Sequence, residues 1–232
     1  MNGLTNAATA MLAHERHLDT ITANLANANT HGFKRRMAAS HGTWMGRMDS
    51  ARLGLQMAER NDFSQGSLLD TGNALNLAIQ GDGFFAVESP QGEVFTRDGE
   101  FHMTGDGIVV SKEGYPLVWD GVQANIQSTG DPIVVDHTGA VTQGNRQLGR
   151  LRYMEFADNH LLDNTKDGYW VAPPNLDREP GNGKIVQGAV EGSNVNTVKE
   201  LVAMISVQRK FEQASQIITQ IDQSYRRLNR GN

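Results

Sequence analysis

Seven histidines are the first place to look for chemistry in this chain. His14-Glu15-Arg16-His17 sets two imidazoles three residues apart on a helical stretch. A zinc-protease helix needs its histidines at i and i+4, so that both face one ion, and a spacing of three does not supply that. His14 therefore reads as the polar member of an apolar seam and His17 as a solvent residue. Gly81-Asp82-Gly83-Phe84-Phe85-Ala86 has the spacing of a dinucleotide fingerprint. That fingerprint requires a helix after its glycines, so that the helix N-terminus meets the pyrophosphate. Phe84 to Val87 reads as strand instead, and the glycines as a hairpin turn. Gly181-Asn182-Gly183-Lys184-Ile185 lacks the leading glycine and the Ser/Thr of a phosphate loop and reads as a plain loop. The carboxylates Glu88, Glu93, Asp98, Glu100, Asp106 and Asp136 could hide a glycosidase pair, whose signature is a separation in space. Solvated acidic turns are the favoured reading, since such side chains are mostly exposed. A G-x-S-x-G elbow and a cysteine nucleophile are both missing from the sequence. No residue is assigned a catalytic, cofactor-binding or metal-binding role.

Composition narrows the field in the same direction. The chain has 232 residues, a formal net charge of −5 and no cysteine. Disulfide scaffolds, thiol catalysis and cysteine-based zinc sites are excluded. A general nucleic-acid binder needs a basic face and is disfavoured. No apolar run approaches the 18 residues of a membrane-spanning helix, so no membrane insertion is expected. Met1-Asn2-Gly3-Leu4-Thr5-Asn6 offers neither a basic nor an apolar region of a signal peptide. The expectation is a cytoplasmic chain, or one exported by a route that reads no cleavable signal.

The elements that would have to position any site are unevenly distributed. All six prolines, most of the 25 glycines and most of the acidic excess fall between residues 71 and 190. The two ends lack proline altogether. At the N-terminus, Leu4, Met11, Leu18 and Leu25 recur every seven residues, with Ala7, His14, Ile21 and Ala28 at the positions between. This is an a/d seam over four heptads, ended by Thr30-His31-Gly32-Phe33 with Gly32 free to take a left-handed conformation. At the C-terminus, Met204, Val207, Phe211, Ala214, Ile218, Ile221, Tyr225 and Leu228 alternate at three and four. Val198, Leu201, Val202 and Ile205 widen that stripe to a second face. Thr197 to Glu200 has capping-box spacing, which starts the helix near Asn196 and carries it to about Asn229. Between the ends, short runs such as Phe84–Val87, Val94–Thr96, Val109–Val110, Ile133–Val135 and Leu151–Met154 are punctuated by turn residues about every ten positions.

The predicted class is α+β, with long N- and C-terminal helices pairing as a coiled coil around a central antiparallel β domain. The predicted pieces are an N-terminal helix over 1–33, an arm or linker over 34–70, a β-rich domain over 71–189 and a C-terminal helix over 190–232. Two apolar seams at opposite chain ends, outside a β middle, make a marginal helix pair and call for neighbours from other chains. A monomeric enzyme has no use for them.

At this point the residues resemble a known family, the flagellar rod and hook proteins of bacteria. Asn24-Leu25-Ala26-Asn27-Ala28-Asn29-Thr30-His31-Gly32-Phe33-Lys34-Arg35 is similar to its N-terminal signature. Ala78 to Phe85 and Phe95-Thr96-Arg97-Asp98-Gly99-Glu100-Phe101 are similar to its central motifs. Gly188-Ala189-Val190-Glu191-Gly192-Ser193-Asn194-Val195-Asn196, leading into Met204-Ile205 and Gln208 to Glu212, is similar to its C-terminal signature. The resemblance implies an axial protein that the flagellar export apparatus passes unfolded, without a cleaved signal. It implies helical stacking, with copies of itself and with other rod proteins, into a hollow periplasm-spanning shaft. Hook-side and membrane-ring-side neighbours follow. The terminal helices would line the tube and the β domain would lie outside. The assembly interface expected on this reading comprises Leu4, Met11, Leu18, Ile21, Leu25, Phe33, Met204, Val207, Phe211, Ile218, Ile221 and Tyr225. No cofactor and no enzymatic activity are expected.

Within the family, Lys34 to Asp62 is short for a distal-rod member, and the Gly188 to Asn194 stretch is more similar to the proximal form. A proximal rod subunit is the expectation. Trp44, Met45, Met48, Leu53, Leu55 and Met57 would anchor a compact arm against a neighbour. The alternatives are a distal rod subunit or, from a different class, a secreted β-rich hydrolase with a carboxylate pair.

Overall fold

The computed structural model describes residues 2–41, 56–121, 126–127, 130–165 and 168–230. The chain divides into two compact units. One is formed by residues 1–28, 35–62 and 195–232, the other by residues 29–34 and 63–194.

The first unit is helical, with one ribbon. Helix α1 spans Asn2–Ala26 and α2 spans Thr197–Arg230. Asn196 caps α2: its side-chain oxygen accepts the Lys199 N–H at 3.0 Å, and its carbonyl accepts the Glu200 N–H. The first bond relieves one of the donors a helix start leaves unpaired, and the second is the helix's first internal bond. Strands β1 (Arg36–His41) and β2 (Gln56–Asn61) pair antiparallel, from Arg36 opposite Asn61 to His41 opposite Gln56. Residues 34–70 could be helix, arm or loop from their composition, and their flanks form this ribbon. Residues 42–55, with the anchors Trp44, Met45, Met48, Leu53 and Leu55, lie outside the described residues, as does the side chain of Met57.

The expectation of long terminal helices paired as a coiled coil does not hold. Among the described residues the structure has two α-helices, of 25 and 34 residues, and a large β domain. A coiled coil buries its a and d positions in every heptad. Here α1 and α2 are neighbours, yet among the described seam residues only Ile21 on the first and Val207 and Ala214 on the second are buried. Met11, Leu18, Leu25, Met204, Phe211, Ile218 and Ile221 are half-buried. The widened stripe of Val198, Leu201, Val202 and Ile205 is exposed. Two of the buried α1 residues are polar, Thr20 and Asn24, because Asn24 faces the β1 backbone instead of a knob from a second helix.

The second unit is antiparallel β throughout its named sheets. Strands β3 (Leu68–Asp70), β4 (Leu77–Gln80), β5 (Phe84–Ser89) and β6 (Gly92–Thr96) come first in the chain. A six-stranded sheet runs in the order Asp163–Asn164, Trp170–Val171, β6, β5, Tyr153–Phe156, Arg178–Pro180. A four-stranded sheet joins Ile133–Val135, Ala140–Gln143, Arg146–Leu151 and Trp119–Asp120. Strand β5 is buried on both faces. Phe85 and Val87 enter a core with Phe101, Leu117, Trp119 and Leu148, while Phe84 and Ala86 enter another with Phe95, Phe156 and Trp170. Alternation along a strand sends neighbouring side chains to opposite faces, so a continuous apolar run is what a strand between two cores needs.

The turn at Gly81-Asp82-Gly83 is not a hairpin. Strand β4 pairs with Lys184–Gln187, and β5 pairs with β6 across Pro90-Gln91. Gly81 and Gly83 take φ of 105° and 126°, in the region that favours glycine, and let the chain leave one ladder for another. Lys184-Ile185, expected in a loop, opens the strand that pairs with β4.

Candidate functional site

The structure builds two separate sites, one within each unit: a buried carboxylate held by a cation, Glu191 by Lys34 in the β-rich unit and Glu200 by Arg35 in the helical unit.

Glu191 ends the strand Ala189–Glu191, all of it buried, which pairs with β3 so that Glu191 lies opposite Leu68. Its Oε1 accepts Lys34 Nζ at 2.7 Å and the Gly66 N–H at 2.8 Å. Its Oε2 accepts Arg97 NH1 at 3.2 Å. Its carbonyl accepts the Gly32 N–H at 2.7 Å. Lys34 also donates to the Ser64 carbonyl, and Arg97 to the carbonyls of Ile79 and Gly81. The Arg97 guanidinium lies over the Phe84 ring, 5.1 Å from its centroid, a position from which ring and cation attract. Burial pulls the Arg97 pKa below its ordinary value, and the charge of Glu191 and its hydrogen bond oppose this. A buried charge persists only when it is paired and its remaining valences are satisfied. Glu191 meets that condition through two cations and a backbone N–H.

Glycine makes the close approach possible. A Cβ on Gly32, whose φ is 68°, would lie 2.2 Å from the Asp98 nitrogen, and one on Gly66 would lie 2.0 Å from the Gly192 carbonyl oxygen. Gly32 of the Thr30–Phe33 motif and Gly66, whose N–H binds Glu191, are thus the complement of the buried charge beside them.

Glu200 sits in the first turn of α2 and is almost fully buried. Arg35 Nε donates to its Oε1 at 2.6 Å and Asn24 Nδ2 to its Oε2 at 3.4 Å. Asn24 also clamps the first residue of β1 from both sides: its Oδ1 accepts the Arg36 N–H and its Nδ2 donates to the Arg36 carbonyl, each at 2.8 Å. The capping-box spacing at Thr197 to Glu200 therefore marks the helix start, while Glu200 binds a cation. His17, expected in solvent, is half-buried, and burial followed by the nearby Lys210 charge lowers its pKa.

The residues expected at an assembly interface are distributed differently. Ile21 and Val207 are buried; Met11, Leu18, Leu25, Phe33, Met204, Phe211, Ile218 and Ile221 are half-buried. The side chains of Leu4 and Tyr225 lie outside the described residues. Sequence reasoning missed Asn24, Lys34, Arg97, Glu191 and Glu200 as a group. The available signal was a charged residue inside an otherwise small or apolar motif, as in Val190-Glu191-Gly192.

Each terminal motif thus ends on an ion pair to a buried carboxylate, and one apolar helix face is left over. The chain's likeness to known proteins gives its class. Residues 4–34 match the family model described as "Flagella basal body rod protein". Residues 78–143 match "Flagellar hook protein FlgE/F/G D1 domain", and residues 186–231 match "Flagellar basal body rod FlgEFG protein C-terminal". The chain is 32% identical to the flagellar basal-body rod protein FlgG of Agrobacterium fabrum, over 96% of each protein. It is 34% identical to the rod protein FlgF of Mesorhizobium japonicum, over 92% of this chain and 90% of the relative. It is 32% identical to FlgF of Caulobacter vibrioides, over 88% and 86%. The chain belongs to the flagellar basal-body rod protein family and is a structural rod subunit.

Proposed function

We propose that this chain occupies the proximal part of the rod and polymerises helically with copies of itself and with other rod proteins. It has no enzymatic activity in this reading. The flagellar export apparatus delivers it without a cleavable signal, and it takes its place in the periplasm-spanning part of the basal body. The terminal pieces, 1–33 and 190–232, do the assembling, and 71–189 forms the outer domain. The observation that carries this reading is the helix face of Val198, Leu201, Val202 and Ile205, which the chain's own fold leaves 50–68% exposed. Four apolar side chains at i, i+3, i+4 and i+7 form one stripe, and a stripe of this kind is covered by a partner. The partially buried residues Met11, Leu18, Leu25, Met204, Phe211, Ile218 and Ile221 extend the surface that neighbours complete. The short Lys34 to Asp62 segment supports a proximal position over a distal one.

The test is a charge on the stripe. Val202→Asp and Ile205→Asp should abolish motility and rod completion and leave the thermal unfolding of the β-rich unit unchanged. Completed rods from both variants would overturn the assembly role of this face. Electron microscopy of assembled basal bodies tests the position separately: density for this chain directly beneath the hook would make it distal.

A further inference from the structure

One cluster in the β-rich unit is used by neither buried carboxylate. His31 lies in the Thr30–Phe33 turn, and Asp98 and Glu100 flank Gly99 in a second turn. One donor atom from each of the three lies within 4.8 Å of the others, with His31 Nδ1 3.3 Å from Glu100 Oε2. The backbones that carry them are held tightly. The Gly32 N–H is bound by the Glu191 carbonyl, and Gly32 leaves no room for a Cβ against Asp98. Gly99 is pressed on the Leu77 carbonyl, and Glu100 bridges Asn76. The donors are thus presented by fixed turns, which keeps the cost of organising a site low.

Within the cluster the two carboxylates meet one imidazole, His31, which pairs with Glu100. Asp98 accepts the Glu100 N–H at 3.0 Å, and neither carboxylate forms an ion pair with a lysine or arginine among the described residues. Two carboxylates this close, one of them half-buried, are what a cation relieves. The imidazole decides which cation. Oxygen-only sites suit magnesium and calcium, whereas one nitrogen with two carboxylate oxygens suits zinc and its first-row neighbours.

We propose that His31, Asp98 and Glu100 bind one divalent transition-metal ion of the zinc class, fastening the Thr30–Phe33 turn to the Asp98–Glu100 turn. Zinc bonds to such donors are about 2.0–2.2 Å long, so the partly exposed His31 and Glu100 side chains draw inward on binding. Water takes the remaining position. No local spacing announces the site, because His31 and Asp98 are 67 residues apart.

The experiment uses the full chain, stripped with EDTA and titrated with Zn²⁺ against a chromogenic competitor, alongside thermal unfolding. The expected result is one zinc per chain and a higher melting temperature for the β-rich unit at saturation. His31→Ala and Glu100→Gln should each weaken zinc binding at least about tenfold, which is the scale for losing even an outer partner of a bound metal. Their melting temperatures in EDTA should match the parent's, which separates lost binding from lost folding. A His14→Ala/His17→Ala double variant should bind zinc as the parent does. Stoichiometric zinc that survives His31→Ala, or that is lost with His14 and His17, would overturn the assignment. So would a parent chain that binds no zinc.

Discussion

The two units hold their buried carboxylates in different surroundings. In the β-rich unit, Glu191 and Lys34 each have side chains only 1% exposed, and Arg97 is nearly as hidden. In the helical unit, Glu200 is 2% exposed but its partner Arg35 is 35% exposed. The first is a closed charge cluster between glycines and strand ends. The second is a carboxylate anchored by a cation that water still reaches. Their cores differ in the same sense. The β-rich unit buries Phe84, Phe85, Phe95 and Phe101 to 2% or less, with Phe85 and Phe101 edge-to-face at 5.3 Å. The helical unit leaves Leu201, Val202 and Ile205 in water. The β-rich unit also exposes Ile108, Val134 and Leu161, but from separate strands and turns, whereas the helical unit gathers its exposed apolar side chains on one helix face.

That contrast sets the order of expected effects. The largest is at Glu191. Glu191→Ala leaves Lys34 and Arg97 buried without their carboxylate, and breaking a buried ion pair from one side costs about 3–5 kcal/mol. Urea unfolding followed by the fluorescence of Trp119 and Trp170, both buried in this unit, should show a midpoint lowered accordingly. A loss below about 1 kcal/mol, the scale of an exposed pair, would show that the cluster is not the closed site described.

Glu200→Gln should cost less. Arg35 can turn its charge to solvent once the carboxylate is gone, and Gln retains an oxygen for Asn24 Nδ2. The expected loss is about 1.5–3 kcal/mol, the scale of one charged hydrogen bond. It should be visible as faster amide exchange in the first turns of α2 with no change in the β-rich unit. Equal losses for Glu191→Ala and Glu200→Gln would erase the distinction between the two sites.

The difference between the units also explains what the sequence made legible. Strand β5 and the β5–β6 hairpin are readable because an apolar run followed by Pro90-Gln91-Gly92 has a local cause. The pairing of β4 with Lys184–Gln187 is not, since its partner lies about a hundred residues away and two glycines simply let the chain pass between ladders. Helix α2 is readable from its three-four alternation, and its start from Asn196. The coiled coil is not formed, because heptad spacing reports which residues share a face and says nothing about what covers that face. Ile21 and Val207 are covered, Val202 and Ile205 are not, and Asn24 is turned to β1. The buried charges were legible only as oddities inside glycine-rich motifs, because Lys34 finds Glu191 across 157 residues.

The smallest expected effect sharpens the comparison within the β-rich unit itself. Asp98 is a carboxylate that the fold desolvates without giving it a lysine or arginine among the described residues, the reverse of Glu191. Burial, the leading cause, raises its pKa in the folded chain above the ordinary carboxylate value of 3.8. A raised carboxyl binds its proton more tightly folded than unfolded, so its contribution to stability is greatest in acid. That contribution is lost as pH rises through the folded pKa. At neutral pH the metal-free chain therefore carries an unfavourable charge there. Asp98→Asn removes the charge and keeps an oxygen for the Glu100 N–H, so in EDTA at pH 7 its melting temperature should equal or slightly exceed the parent's. The advantage should shrink as pH falls toward the ordinary carboxylate range. The same substitution at saturating zinc should reverse the order, because only the parent gains from the metal. An Asp98→Asn chain that is clearly less stable than the parent in EDTA would mean that Asp98 is paired as Glu191 is, and that the two carboxylates do not differ as described.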